Sequence, residues 1–143
     1  MIVYFDTSAF VPIVIEESTS RVAARLWREA DRVVSNRLLY AEARAALAMA
    51  HRMKRIDDPG LRAAVKGVDD LVAELDMVEV TDDLVRKAGA HAEALALRGY
   101  DAVHLASAKL VDDGDLVLAS GDRDLVKAAR SIGLGVADLH RDS

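Results

Sequence analysis

The sequence predicts a doubly wound α/β sandwich, a parallel sheet covered by helices on both faces. Three observations carry that expectation. Short apolar runs rich in β-branched residues alternate with longer stretches of helical periodicity from end to end. Cap and turn residues fall at the junctions between them. The chain has 143 residues, of which 52% are apolar and only 4% aromatic, enough for one domain (1–143) with a core of Ala, Leu and Val. Strands alternating with helices imply right-handed crossovers and parallel pairing.

The elements follow in order. Ile2–Phe5 is a compact β-rich run that ends in Asp6-Thr7-Ser8, a strand followed by a helix N-cap signal. A helix is read over Ser8–Ile15, although Pro12 and the β-branched Val11, Ile13, Val14 and Ile15 count against it. Arg21–Ala30 sets Val22, Leu26 and Trp27 at helical spacing, and Arg32–Ser35 carries Val33-Val34 as a second strand. Leu38–Met53 reads as a long Ala/Leu-rich helix, stopped by the turn signal Asp57-Asp58-Pro59-Gly60.

Helical spacing resumes over Leu61–Leu75, through Val65, Val68 and Leu71. Met77–Val80 is a third strand, and Thr81-Asp82-Asp83 caps a helix that reaches Leu97. Arg98-Gly99-Tyr100 breaks it, and Asp101 opens the next helix, which ends near Asp113-Gly114. Leu116–Ala119 is the fourth strand, Asp122–Ser131 a helix, and Gly135–Leu139 a candidate fifth strand. No repeat, low-complexity tract or linker interrupts the pattern.

Composition narrows the chemistry. The absence of cysteine excludes disulfides, thiolate metal sites and Cys nucleophiles, and makes a reducing cytoplasm the expected compartment. The opening Met1-Ile2-Val3-Tyr4-Phe5 run has no basic leader, and the apolar run from Ala9 to Ile15 is too short to span a bilayer, so no membrane role is expected. Net charge is −5, but it is unevenly spread. Residues 1–66 hold eleven Lys/Arg against eight Asp/Glu, and residues 67–143 hold eight against sixteen. The basic stretch Arg52-Met53-Lys54-Arg55 could attract phosphates from one face, or be an ordinary solvated surface.

Four acids stand out by position. Ligands of open parallel sheets collect beyond the carboxyl ends of the strands. Asp6 lies just past the first strand and Asp122 just past the fourth, so both belong to the same rim. Glu42 shares a helical stripe with Leu38, Ala45, Ala46 and Met49, where a carboxylate is costly without a cation or donor. Asp101 opens a helix whose next turns carry Leu105 and Ala108, and a helix N-terminus favours negative charge. Singly, each acid has a plain structural use as a cap, turn or stripe-edge residue.

Together they would raise one another's pKa unless a cation relieved the repulsion. Mg²⁺ or Mn²⁺ suits such an oxygen-donor set, and on a phosphodiester it would activate water and stabilise the reacting oxygens. His51, His91, His104 and His140 show no zinc spacing, and His104, one turn after Asp101, is expected to pack or support the acids. No phosphate-binding glycine loop and no nucleophile elbow around Ser8 is present.

These blocks resemble a known family. Asp6-Thr7-Ser8-Ala9 after an opening strand, Glu42 in an Ala-rich helix, Tyr100-Asp101-Ala102-Val103-His104-Leu105-Ala106 and Ser120-Gly121-Asp122-Arg123-Asp124-Leu125 look like a PIN-domain ribonuclease, most of all the VapC toxins of type II toxin–antitoxin pairs. The resemblance runs from residue 6 to residue 125 in family order. It implies a PIN-like α/β/α sandwich with a five-stranded parallel sheet. It further implies Mg²⁺- or Mn²⁺-dependent endoribonuclease activity on structured RNA, leaving 5′-phosphate and 3′-hydroxyl ends.

Carried over by motif, Asp6, Glu42, Asp101 and Asp122 are the metal-binding catalytic acids. Ser8 and Ser120 are supporting hydroxyls, and Asp124 is an optional further acid. Ser120 replaces the more usual Thr and keeps the hydroxyl, whereas Pro12 departs from the usual apolar run of the first helix. A homodimer is implied, as is a cognate VapB-like antitoxin whose C-terminal segment places an Arg in the acidic pocket.

Two alternatives share most of these features: a PIN nuclease of RNA processing without an antitoxin, and a PIN-like module that binds RNA or a partner without cutting. A phosphotransfer enzyme would need a second Asp or a later Lys, and Thr7-Ser8 supplies no such Asp.

Overall fold

Alternation along the first strand sets the layering. In the computed structural model, which describes residues 1–141, Val3 and Phe5 of β1 (Ile2–Phe5) enter one apolar cluster, and Ile2 and Tyr4 enter another on the opposite face. A strand buried on both sides belongs at the centre of a parallel sheet. β1 pairs in parallel with β2 (Arg32–Asn36) and with β4 (Val117–Ser120). β3 (Asp76–Val78) adds to β2, and β5 (Gly135–Asp138) adds to β4. The order β3-β2-β1-β4-β5 makes a five-stranded, all-parallel sheet, including the fifth strand expected from the sequence.

Four helices cover the Val3–Phe5 face: α1 (Thr7–Val14), α2 (Ser20–Glu29), α3 (Leu39–Arg52) and α4 (Asp58–Val72). Three cover the other: α5 (Asp82–Leu95), α6 (Gly99–Val111) and α7 (Arg123–Ser131). No helix among the described residues is long and apolar enough to cross a membrane.

One expected helix forms against its local signals, and two local expectations need correction. α1, read over Ser8–Ile15, forms despite Pro12. Proline removes the N–H that would reach the Ser8 carbonyl, but the Asp6 cap at one end and the Ile15 N–H bond to Val11 at the other still close a two-turn helix. Asp57-Asp58-Pro59-Gly60 is a helix start rather than a stop: the Asp57 carboxylate accepts from the Gly60 N–H at 2.8 Å, and Pro59 occupies the first turn, where its missing N–H costs nothing. α6 begins at Gly99, which places Asp101 inside the first turn instead of at its opening.

β5 depends on a close approach. A Cβ on Gly135 would lie 2.8 Å from the Leu116 carbonyl oxygen, so only glycine lets this edge strand lie against its neighbour. In the core, Leu47 on α3 is fully buried among side chains of the first cluster. Leu47→Ala is expected to destabilise the fold by about 2–5 kcal/mol. A shift of the urea midpoint measures this, and an unchanged midpoint would show that α3 does not pack as described.

Candidate active site

The sheet order reverses between β1 and β4, and ligands bind at such switch points. Asp6 follows β1 there, and Ser120-Gly121-Asp122 closes β4 beside it. Asp6 is only 2% exposed. Its Oδ1 accepts from the Ala9 N–H at 2.9 Å and the Ser8 hydroxyl at 2.7 Å, and its Oδ2 accepts from the Ser120 hydroxyl at 2.6 Å. The same hydroxyls receive bonds from the following backbone: Gly121 N–H donates to Ser8 Oγ at 2.8 Å, and Asp122 N–H to Ser120 Oγ at 2.9 Å. Ser8 and Ser120 therefore tie the ends of two adjacent strands around one carboxylate. Burial pushes the Asp6 pKa up, and the Ser120, Ser8 and Ala9 hydrogen bonds offset only part of that rise.

Asp122 caps α7, its Oδ1 accepting from the Leu125 N–H at 2.9 Å. Its other oxygen faces Arg98, the residue just before α6. The guanidinium spans two acids: Nε donates to Asp101 Oδ2 and Nη2 to Asp122 Oδ2, both at 3.0 Å. Asp101 is half-buried, and burial followed by the charge of Asp122 raises its pKa against the opposing pull of Arg98.

Glu42 reaches the site for a different reason from the one its spacing suggests. The buried face of α3 is Leu39, Ala43, Leu47 and Ala50, one position round from the anticipated stripe, and Met49 is exposed. Glu42 lies at the edge of that face. What holds it is His104, whose Nε2 lies 2.8 Å from Glu42 Oε1. His104 is 1% exposed, and its Nδ1 meets the Tyr4 hydroxyl at 2.8 Å and Asn36 Nδ2 at 3.3 Å. The Leu38 N–H donates to Asn36 Oδ1 at 2.9 Å, which turns the amide nitrogen toward the imidazole. An amide nitrogen can only donate, so Nδ1 accepts and the Nε2–H donates to Glu42.

Asp6, Glu42, Asp101 and Asp122 thus open into one cavity of about 420 Å³, with Arg98 and His104 among its walls. Among the described residues, no three His, Asp or Glu side chains converge on a common ion in this arrangement; the acids are turned instead to Arg98, His104 and the two serines. Asp124 is exposed in the first turn of α7 and does not line the cavity. A larger open hollow of about 790 Å³ lies at the α3–α4 turn, beside His51, Arg52, Lys54 and Arg55, and contains none of the four acids.

The PIN-domain family model matches residues 3–131. The chain is 44% identical over 141 residues, covering 99% of this chain and 98% of the relative, to Ribonuclease VapC45 of Mycobacterium tuberculosis (strain CDC 1551 / Oshkosh). It is a PIN-domain protein of the VapC family.

The PIN match takes in all four acids and stops at the end of α7, leaving β5 outside. Solved structures agree on the PIN fold. PAE2754 from Pyrobaculum aerophilum superimposes with a TM-score of 0.73 at 18% identity, covering 99% of this chain and 91% of that one. Mycobacterium tuberculosis VapC20, described as a Sarcin-Ricin loop cleaving toxin, gives 0.64 at 20% identity, covering 92% and 95%. Within this PIN domain, Arg98, Tyr4 and Asn36 are the site residues that the sequence does not single out. The i,i+3 spacing of Arg98 and Asp101 is a usable signal for the first. Tyr4 and Asn36 look only like strand residues.

Proposed function

We propose that this chain is a divalent-metal-dependent endoribonuclease, the toxin of a type II toxin–antitoxin pair, that cuts structured RNA by attack of an activated water. The observation that carries the reading is Asp6: a carboxylate all but buried at the sheet's switch point, in a cavity that Glu42, Asp101 and Asp122 line from separate elements, together with Glu17. A structural cap has no need of such company, whereas a cation does.

The donor set fits Mg²⁺ or Mn²⁺. The cavity offers carboxylate and hydroxyl oxygens; of the two imidazoles that line it, His104 and His140, the first has its Nε2 committed to Glu42. Asp6, Glu42, Asp101 and Asp122 would hold the metal, which supplies a lowered water pKa and positive charge for the phosphodiester. The remaining residues position. Ser8 and Ser120 hold both oxygens of Asp6, and His104 fixes Glu42 by one oxygen.

The phosphate chain of an RNA would have a route from the basic turn to the acids. Arg55 lies 3.8 Å from Glu17, and Glu17 lines the acidic cavity. Support for the RNA target comes from the names of VapC45, a ribonuclease, and VapC20, a Sarcin-Ricin loop cleaving toxin. Support for an antitoxin partner comes from structural neighbours that are toxin–antitoxin complexes, one from Klebsiella pneumoniae and VapBC2 from Rickettsia felis. A homodimer would cover the apolar hollow beside the exposed Val85 and Tyr100.

The purified chain, freed of antitoxin, is expected to cut RNA with Mg²⁺ or Mn²⁺, stop on chelation and resume when metal is restored. Equal rates without metal would overturn the mechanism. Mapping new 5′-phosphate ends across the transcriptome after induced expression identifies the target, and ends bearing 5′-hydroxyls would contradict the proposed chemistry.

A further inference from the structure

Two of the four acids already have a cation. Arg98 sits outside the helix that carries Asp101, in extended backbone (φ −66°, ψ 154°), and its side chain is 78% exposed. It nevertheless reaches back to bridge Asp101 on α6 and Asp122 at the cap of α7. Each carboxylate gives the guanidinium its Oδ2. The other oxygen of Asp122, Oδ1, accepts from the backbone of α7. A divalent ion held by Asp101 and Asp122 would therefore share its carboxylates with the positive charge of Arg98.

Both acids are also more buried than the arginine, with 16% and 21% of their side chains exposed. The shared partner is consequently the solvated member of the trio, free to swing into water. Two acids placed side by side repel, and Arg98 supplies the charge that lets them stay together without metal.

We propose that Arg98 is an internal counter-ion that competes with the metal for Asp101 and Asp122, and so sets the affinity of the site. The inference rests on the metal-dependent reading above. To hold a metal, Asp101 and Asp122 would give up their pairing with Arg98, whose guanidinium would turn to solvent. Occupancy of the nuclease site then requires a higher free metal concentration than the four acids alone would demand. Lysine, a point charge without the planar fork, cannot span both acids in the same way and competes less.

Mn²⁺ binding read by electron paramagnetic resonance tests this without reference to activity. Arg98→Gln is expected to bind Mn²⁺ about two- to thirtyfold more tightly than wild type, the range for losing two exposed ion pairs. Arg98→Lys is expected to fall between the two. Arg86→Gln controls for the loss of one positive charge, since Arg86 pairs with Asp82 on the exposed side of α5, away from the four acids. Tightening in Arg98→Gln beyond that control supports the competition. Affinity equal to the control, or weaker than wild type, overturns it and leaves the metal-dependent reading standing. Wild-type protein that binds no Mn²⁺ overturns both.

Discussion

Asp6→Asn is expected to lower RNA cleavage at saturating Mg²⁺ by more than about a hundredfold, since replacing even an outer partner of a metal ligand costs tenfold to a hundredfold. The fold is expected to survive. The substituted amide can still accept from Ala9 and Ser8 through its carbonyl oxygen, and its nitrogen can donate to Ser120 Oγ, a hydroxyl that already accepts from Asp122.

Stability should reveal the same charge. Burial raises the folded pKa of Asp6 above the ordinary 3.8, so the folded state holds its proton more tightly than the unfolded chain does. Metal-free wild type is therefore expected to lose stability as pH rises from 3.8 through the raised folded value, and Asp101 adds to the slope in the same direction. Asp6→Asn should flatten that profile, and Mg²⁺ should restore wild-type stability most at neutral pH. Thermal melts with and without metal measure both effects. Cleavage by Asp6→Asn at the normal rate, or an unchanged pH profile, would remove Asp6 from the role assigned to it.

His104→Ala carries the largest expected loss of stability among the site residues. It removes the imidazole partner of the Tyr4 hydroxyl and the donor to Glu42, and opens a cavity beneath β1. Together these are expected to cost about 2–4 kcal/mol, read from the urea midpoint. His104→Gln separates packing from positioning. Its amide can still donate toward Glu42, so it should recover much of kcat and of metal affinity even where stability is only partly regained. If His104→Ala matches wild type in stability, the imidazole is not the hub described. If His104→Gln cleaves no better than His104→Ala, its donation to Glu42 has no part in the reaction.

Much of this architecture is legible in the amino-acid order. The alternation of apolar runs and helical periodicity foretells the parallel sandwich, because side-chain period follows directly from local backbone geometry. Asp6 and Asp122 group together because strand ends in a parallel sheet share a rim. Both are also helix caps, so their plain and functional readings hold at once. Spacing picks out Glu42 on a stripe that is not the buried one: the buried face of α3 lies one residue round, since only packing decides which way a helix turns. Asp57-Asp58-Pro59-Gly60 reads as a stop yet is a start, because proline and acids mark the end of one helix and the beginning of the next equally well.

Asp6, Glu42, Asp101 and Asp122 are therefore visible in the sequence as residues, through motif and position along the chain. Their partners are not. His104 meets Tyr4 from a hundred residues away, and Arg98 reaches Asp122 across the gap between two helices. Element type and cap chemistry are written within a few neighbouring residues, so sequence alone determined them. Which donor satisfies which carboxylate depends on how α3 on one face and α6 and α7 on the other meet beyond the ends of the central strands, and that is decided only when distant segments are buried together.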